Sequence, residues 1–196
     1  MKQDTQQIKT LLLGGGYTLS ALTNLLERDS FVITTTSPEK LAQWQQTGTA
    51  SELVSLQERE SIRALFTKYP SIETVIDSIP PLPSKEPTAG ITNLLTELPR
   101  SVSRIFYLST TGVYGKQDGS IVSEDTERTP YYQSALARVQ SEDLYFNFPH
   151  ATTTSFRLSG IYGPGRGVGL SMKHGSYRLV ENDPRYTNRI HVEDII

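Results

Sequence analysis

The sequence predicts an α/β fold built on a doubly wound parallel sheet. Three observations predict it. Short β-rich runs alternate with helix-patterned stretches along all 196 residues. The first apolar run, Leu11-Leu12-Leu13, goes straight into Gly14-Gly15-Gly16 and then into a helical pattern. Each irregular, chemistry-bearing loop follows a strand, which gathers these loops at one edge of a parallel sheet.

In chain order, Ile8–Leu13 reads as the first strand and Leu19–Glu27 as the first helix. Phe31–Thr35 is the second strand. Ser37-Pro38-Glu39 opens the second helix, because Ser37 can cap it and Pro38 suits its first position. Leu53-Val54 is a short third strand, and Glu58–Lys68 sets Ile62, Leu65 and Phe66 on one helical face. Thr74–Ile79 is the fourth strand, which Pro80, Pro81 and Pro83 stop. Ile91–Leu98 is a helix and Arg104–Leu108 the fifth strand. A polar loop, Gly115–Thr129, leads to a helix at Tyr132–Phe146. Thr153–Leu158 is the sixth strand, and Gly160–Gly169 a glycine-rich loop. Right-handed crossovers then bring the loops at Gly14–Tyr17, Thr34–Ser37, Ile79–Leu82, Ser109–Gly112 and Ser159–Gly163 to one crevice.

Composition narrows the partners. Net charge is −2 with no block of like charge, so neither nucleic acid nor a membrane surface is expected. Cysteine is absent and the three histidines are scattered, so no metal site is expected. The N-terminus is polar and carries Asp4, and no apolar run approaches the ~20 residues of a span, so the expected setting is cytoplasmic. Strand, glycine turn and helix start together make a site for an anion. Gly14 and Gly16 match the first two glycines of Gly-x-Gly-x-x-Gly, with Tyr17 entering the helix; they let a pyrophosphate approach the backbone. Leu19 stands where the third glycine would be, which implies a shifted helix. Thr35, Thr36 and Ser37 end the second strand, with Lys40 a turn later. Hydroxyls and an ammonium in place of an acid tilt the expected cofactor toward NADP over NAD.

Four stretches carry a family resemblance. They are the glycine turn, Leu108-Ser109-Thr110-Thr111-Gly112-Val113-Tyr114-Gly115, Arg157-Leu158-Ser159-Gly160-Ile161-Tyr162-Gly163-Pro164-Gly165-Arg166, and Arg189-Ile190-His191-Val192-Glu193-Asp194. In order and spacing the chain resembles the extended and atypical short-chain dehydrogenase/reductases, the NAD-dependent epimerase/dehydratase family. The resemblance implies a Rossmann-like, NAD(P)-binding domain over residues 1–196. It also implies that the chain stops where the family's substrate lobe would continue, so that the lobe is truncated or absent.

The resemblance distributes roles. Thr110 falls where the family places a catalytic Ser/Thr, four residues before Tyr114. Ile79, Pro80, Ser109, Ser159 and Gly160 join the cofactor-binding set. The family's Tyr-x-x-x-Lys is not reproduced: Tyr131 is followed at four residues by Ala135, and Tyr132 by Leu136. If Arg138 takes the lysine position, Ser134 takes that of the tyrosine, and serine is a poor proton donor without a neighbouring base. Tyr131 or Tyr132 would otherwise supply the proton. Arg157 and Arg166 would meet a phosphate or pair at the surface. His191 is expected to be architectural, and Asp194 to cap a helix. Two readings stay open. One is a hydride-transfer oxidoreductase or epimerase acting on a small molecule, with nucleotide sugars as one candidate. The other is an NAD(P)-binding regulatory or assembly module without turnover. A homodimer is a further expectation.

Overall fold

The computed structural model describes residues 8–82, 84–176 and 186–196. Its centre is a parallel sheet in the order β3-β2-β1-β4-β5-β6. The strands are β1 (Thr10–Leu13), β2 (Phe31–Thr35), β3 (Ser51–Leu53), β4 (Thr74–Asp77), β5 (Arg104–Thr110) and β6 (Thr152–Leu158). The helices between them are α1 (Tyr17–Leu22), α2 (Pro38–Gln46), α3 (Arg59–Lys68), α4 (Ala89–Glu97) and α5 (Gln133–Phe146). Thr10 of β1 lies opposite Phe31 of β2 and Thr74 of β4. Strand order therefore reverses at β1, and a crevice opens beyond the carboxyl ends of β1 and β4.

The central strands are buried on both faces, which is why they read as unbroken apolar runs. Leu11 and Leu13 of β1 pack with Ile62, Leu65, Ile91, Leu94 and Tyr145 from α3, α4 and α5. Leu12 points the other way and packs with Leu19, Phe31 and Ile33. Leu19 is buried in that contact, so the side chain replacing the third glycine anchors α1 to the sheet.

Several boundaries differ from the sequence reading, each for a physical reason. Helix α1 begins at Tyr17 and ends at Leu22, rather than spanning Leu19–Glu27. Ser20 Oγ donates to Gly15 O and Thr23 Oγ1 to Ser20 O, so hydroxyls take the backbone out of helical bonding early. Strand β4 stops at Asp77, not Ile79, because Asp77 Oδ1 accepts the Ile79 N–H at 2.8 Å and turns the chain. Strand β5 runs to Thr110, because pairing with β6 continues to Thr110↔Leu158. The expected loop Gly160–Gly169 contains a strand, β7 (Gly160–Tyr162), and the start of a helix, α6 (Val168–Lys173). Strand β7 pairs in parallel with β8 (Arg189–His191), a partner too distant in sequence for local pattern to show. Asp194 is not a cap: it lies inside a 3-10 turn, Val192–Asp194, whose cap is His191, with Nδ1 accepting from Glu193 N. His191 is thus architectural, and its ring also stacks edge-on with Tyr162. Ser37 caps α2 as expected, accepting from Lys40 N, with Pro38 at the first helical position.

Helix α5 is fixed to the sheet by a buried carboxylate. Glu142 is fully buried. Arg157 of β6 reaches it through Nε (3.1 Å) and Nη2 (2.9 Å), Arg128 through Nη1 (3.1 Å) and Ser155 through Oγ (3.1 Å). Burial pushes the Glu142 carboxyl up, but the guanidinium groups of Arg157 and Arg128 outweigh it and hold the group below its ordinary value. Arg157 also donates to Tyr114 Oη and Glu124 O, so its guanidinium is committed to structure.

Candidate active-site crevice

Three contiguous spaces run along the carboxyl ends of the strands. The middle one, about 250 Å³, is lined by Gly14–Gly16, Thr34–Thr36, Lys40 and Ser78–Pro80. It shares Gly16, Ser78 and Pro80 with a larger space of about 450 Å³ that extends to Thr110, Arg138, Ser159, Gly160 and Arg166. On the other side it shares Thr36, Val54, Ile79 and Pro80 with an apolar slot of about 110 Å³, which Leu56, Leu82 and Ile91 also line. No carboxylate side chain lines any of the three among the described residues.

The glycine turn is tied down from several directions. Gly14 has φ +84°, and a Cβ there would lie 2.7 Å from Ile79 Cγ1. Gly14 N donates to Thr34 Oγ1, Gly15 N to Thr34 O, and Ser78 Oγ to Gly14 O at 2.7 Å. Gly16 is different: a Cβ there would meet nothing nearer than 3.9 Å and would project into open space. A group with a diphosphate fits that opening, because the backbone of Gly16 and Tyr17 can be approached directly.

At the end of β2 the hydroxyls are already engaged. Thr35 Oγ1 accepts from Ser37 N, and Ser37 Oγ donates to Glu39 Oε2 at 2.6 Å. The Ser37 hydroxyl and a backbone N–H hold the exposed Glu39 carboxyl below its ordinary value. The sequence reading placed no acid here, and Glu39 corrects it. Lys40 Nζ reaches back to Gly15 O at 3.0 Å, which puts an ammonium inside the middle space.

At the far end, Thr110 Oγ1 accepts from Gly112 N and opens a 3-10 turn, Thr111–Tyr114. Ser109 lies on the opposite face of β5, buried, with its hydroxyl near Glu142 but short of hydrogen-bond geometry, and the residue borders the larger space. Arg138 comes in from α5. Its Nη1 donates to Tyr107 Oη and Leu108 O, both at 2.9 Å. Behind it lies a buried polar pair: Tyr145 Oη donates to Asp77 Oδ2 at 2.6 Å, and the Tyr145 and Tyr107 rings lie 5.0 Å apart. Burial pushes the Asp77 carboxyl up to about 6, against the opposing bonds from Tyr145 and Ile79 N and the field of Arg138.

The other candidate proton donors lie elsewhere. Tyr131 and Tyr132 are 75% and 51% exposed and stack edge-on against each other. Tyr132 Oη accepts from Gln117, and Ser134 is exposed. None of the three lines the crevice. Arg138 is the member of that set that does.

The sequence reading missed Trp44, Ser78, Asp77 and Tyr145. The Trp44 ring covers Gly15 so closely that a Cβ there would sit 1.9 Å from it. A tryptophan at helical spacing behind Ser37 was the available signal. The Asp77–Tyr145 pair, 68 residues apart, had none.

Comparison with known proteins sets this geometry in context. No family model matches the chain. Protein YeeZ of Escherichia coli K12 is 32% identical over 99 residues, half of this chain and 35% of YeeZ. A functionally unknown conserved protein from Silicibacter pomeroyi DSS superposes with a TM-score of 0.72 at 28% identity, covering 95% of this chain and 64% of that one. A putative NAD-dependent epimerase/dehydratase from Methylobacillus flagellatus gives 0.68 at 21%, with 96% and 67% covered. The Bordetella bronchiseptica enzyme WbmG, solved with NAD and UDP, gives 0.73 at 17%, with 95% and 65% covered. The chain thus spans about two thirds of these structures and shares their fold.

Proposed function

From the fold shared with NAD-dependent epimerase/dehydratase structures, we propose that this chain binds NAD(P) along the crevice and supports hydride transfer on a small molecule. The observation that carries the reading is one continuous space, free of carboxylates among the described residues, joining the open backbone at Gly16 to Thr110 and Arg138. Gly14, Gly16 and Tyr17 would take the diphosphate. Thr35, Thr36, Ser37 and Lys40 would take the adenosine ribose. Ile79 and Pro80, with the apolar slot beyond them, would take the adenine. Ser109, Ser159 and Gly160 would border the nicotinamide. Lys40 favours NADP, and Glu39 beside Ser37 moderates that preference.

When bound, the nicotinamide supplies or accepts the hydride. The Thr110 hydroxyl hydrogen-bonds the substrate oxygen. Arg138 stands for the family's lysine and holds a ribose hydroxyl or that same oxygen; a guanidinium orients and polarises rather than donating the proton. The proton comes from Tyr131 or Tyr132 after a movement of the segment before α5, or from a water in the crevice. Nucleotide sugars are the proposed substrate class, since the related WbmG structure contains UDP.

A second reading is a binding module without turnover. It is favoured by the exposure of Tyr131 and Tyr132 outside the crevice. Titration with NADH and NADPH separates the outcomes, using quenching of Trp44, the chain's single tryptophan, which lies against the turn. Binding by either cofactor with turnover lost in Thr110→Ala supports the enzyme. Binding with turnover indifferent to Thr110→Ala supports the module. No quenching at millimolar concentrations of both would sink the two readings together.

A further inference from the structure

The diphosphate-facing end of the crevice carries a cation that the glycine turn does not supply. Strand β7 leaves the sheet edge through a tight hairpin, in which Gly163 N donates to Arg166 O and Arg166 N donates to Gly163 O. Gly165 has φ +71°, as the turn requires. This hairpin folds onto the first residue of α1. Tyr17 Oη donates to Pro164 O at 3.0 Å. A Cβ on Gly163 would lie 2.6 Å from Tyr17 Oη and 2.8 Å from Val192, so only glycine allows the approach. The Arg166 guanidinium then lies over the Tyr17 ring, 5.3 Å from its centroid. It borders the same space as Gly16 and Thr18. No carboxylate partner is found for it among the described residues.

The turn itself has few donors to offer. The N–H groups of Gly14, Gly15 and Gly16 are all bonded within the protein, to Thr34 Oγ1, Thr34 O and Gly14 O. A diphosphate beside Gly16 therefore gains no N–H from the three glycines, and a cation beside them supplies what they do not. We propose that Arg166, carried on the Gly163–Arg166 hairpin and lying over the Tyr17 ring, is a clamp on the diphosphate of the dinucleotide. The inference rests on the cofactor reading above. The guanidinium lies over an aromatic ring, which offers its N–H groups no strong acceptor and leaves the fork able to meet two phosphate oxygens. Tyr17 then has two tasks: its ring orients the cation, and its hydroxyl holds the hairpin that carries it.

The test is titration of NADH and of NADPH into the wild-type chain, Arg166→Ala and Arg166→Lys, read by Trp44 quenching at low and at high salt. The clamp predicts that Arg166→Ala weakens binding roughly tenfold at low salt, the size of one charge-assisted contact, and that Arg166→Lys recovers part of it. It also predicts that the gap between wild type and Arg166→Ala narrows at high salt, because an exposed pair is screened. Thermal unfolding without ligand checks that each variant is folded. Equal binding by wild type and Arg166→Ala overturns the clamp and leaves the cofactor reading standing. A gap that salt does not change makes Arg166 a packing residue and likewise overturns it. Absence of binding by the wild type to NADH and NADPH removes both.

Discussion

Replacing Asp77 by asparagine should change how stability depends on pH, and in the direction opposite to a salt-bridged acid. Asp77 is fully buried at the end of β4, facing Tyr145 and Arg138 from α5 and Tyr107 from β5. Its carboxyl moves from an ordinary 3.8 to about 6, chiefly through burial. Between those values the folded chain holds a proton that the unfolded chain has released. Stability therefore falls as pH rises through this window. Below it both states are protonated and the effect vanishes; above it both are ionised and the penalty is complete. The free-energy equivalent of that displacement is about 3 kcal/mol. Asparagine mimics the protonated acid at every pH. Its Oδ1 can still accept from Ile79 N, and the Tyr145 hydroxyl can turn to accept from its amide. Urea unfolding of both proteins from about pH 4 to about pH 7 measures the difference. The variant should gain on the wild type by most of that free energy, about 2.4 kcal/mol, across that range. Parallel profiles, with a difference fixed within ~0.5 kcal/mol, would refute the assignment of a protonatable buried carboxyl at this position.

Two further outcomes follow from the clamp on α5 and from the β2 end of the crevice. Arg157→Leu removes the two-pronged contact to buried Glu142 and should destabilise the fold by about 3 kcal/mol, seen as a lower urea midpoint with the same slope. Lys40→Gln should weaken NADPH roughly tenfold and NADH much less, by isothermal titration; equal losses would place Lys40 at the shared diphosphate instead.

Much of the frame was legible because it is written in local pattern. Phe31–Thr35 and the Ser37-Pro38 helix start agree with the structure to the residue. Periodicity and capping act within one turn or one strand, so sequence can show them. The errors fall where one specific contact, near or far in sequence, decides the boundary rather than a pattern. Asp77 ends its strand by accepting the Ile79 N–H, and the segment at Gly160–Tyr162 becomes a strand only because Arg189–His191 lies beside it. The candidate site divides in the same way. Gly14 and Gly16 were pointed to by the glycine turn, and Thr110 and Ser159 by the family resemblance; all four line the crevice. Trp44 on Gly15 and the Asp77–Tyr145 pair behind Arg138 were not, because each joins elements that only the tertiary fold brings together.

The position of β1 in the middle of the sheet also bears on how the chain is assembled. Strand β1 is made first, yet one of its two neighbours is β4, whose Thr74 lies opposite Thr10. During synthesis β1 can pair with β2 while its other edge stays open until residue 77 has left the ribosome. Asp77 then waits for Tyr145, 68 residues further on, before its burial is compensated. Long-range parallel pairing of this kind is slow and leaves strand edges exposed for a time. The rate-limiting event in refolding should thus be docking of α5 against β4 and β5, and Tyr145→Phe should retard that step while leaving formation of the β1–β2 pair untouched.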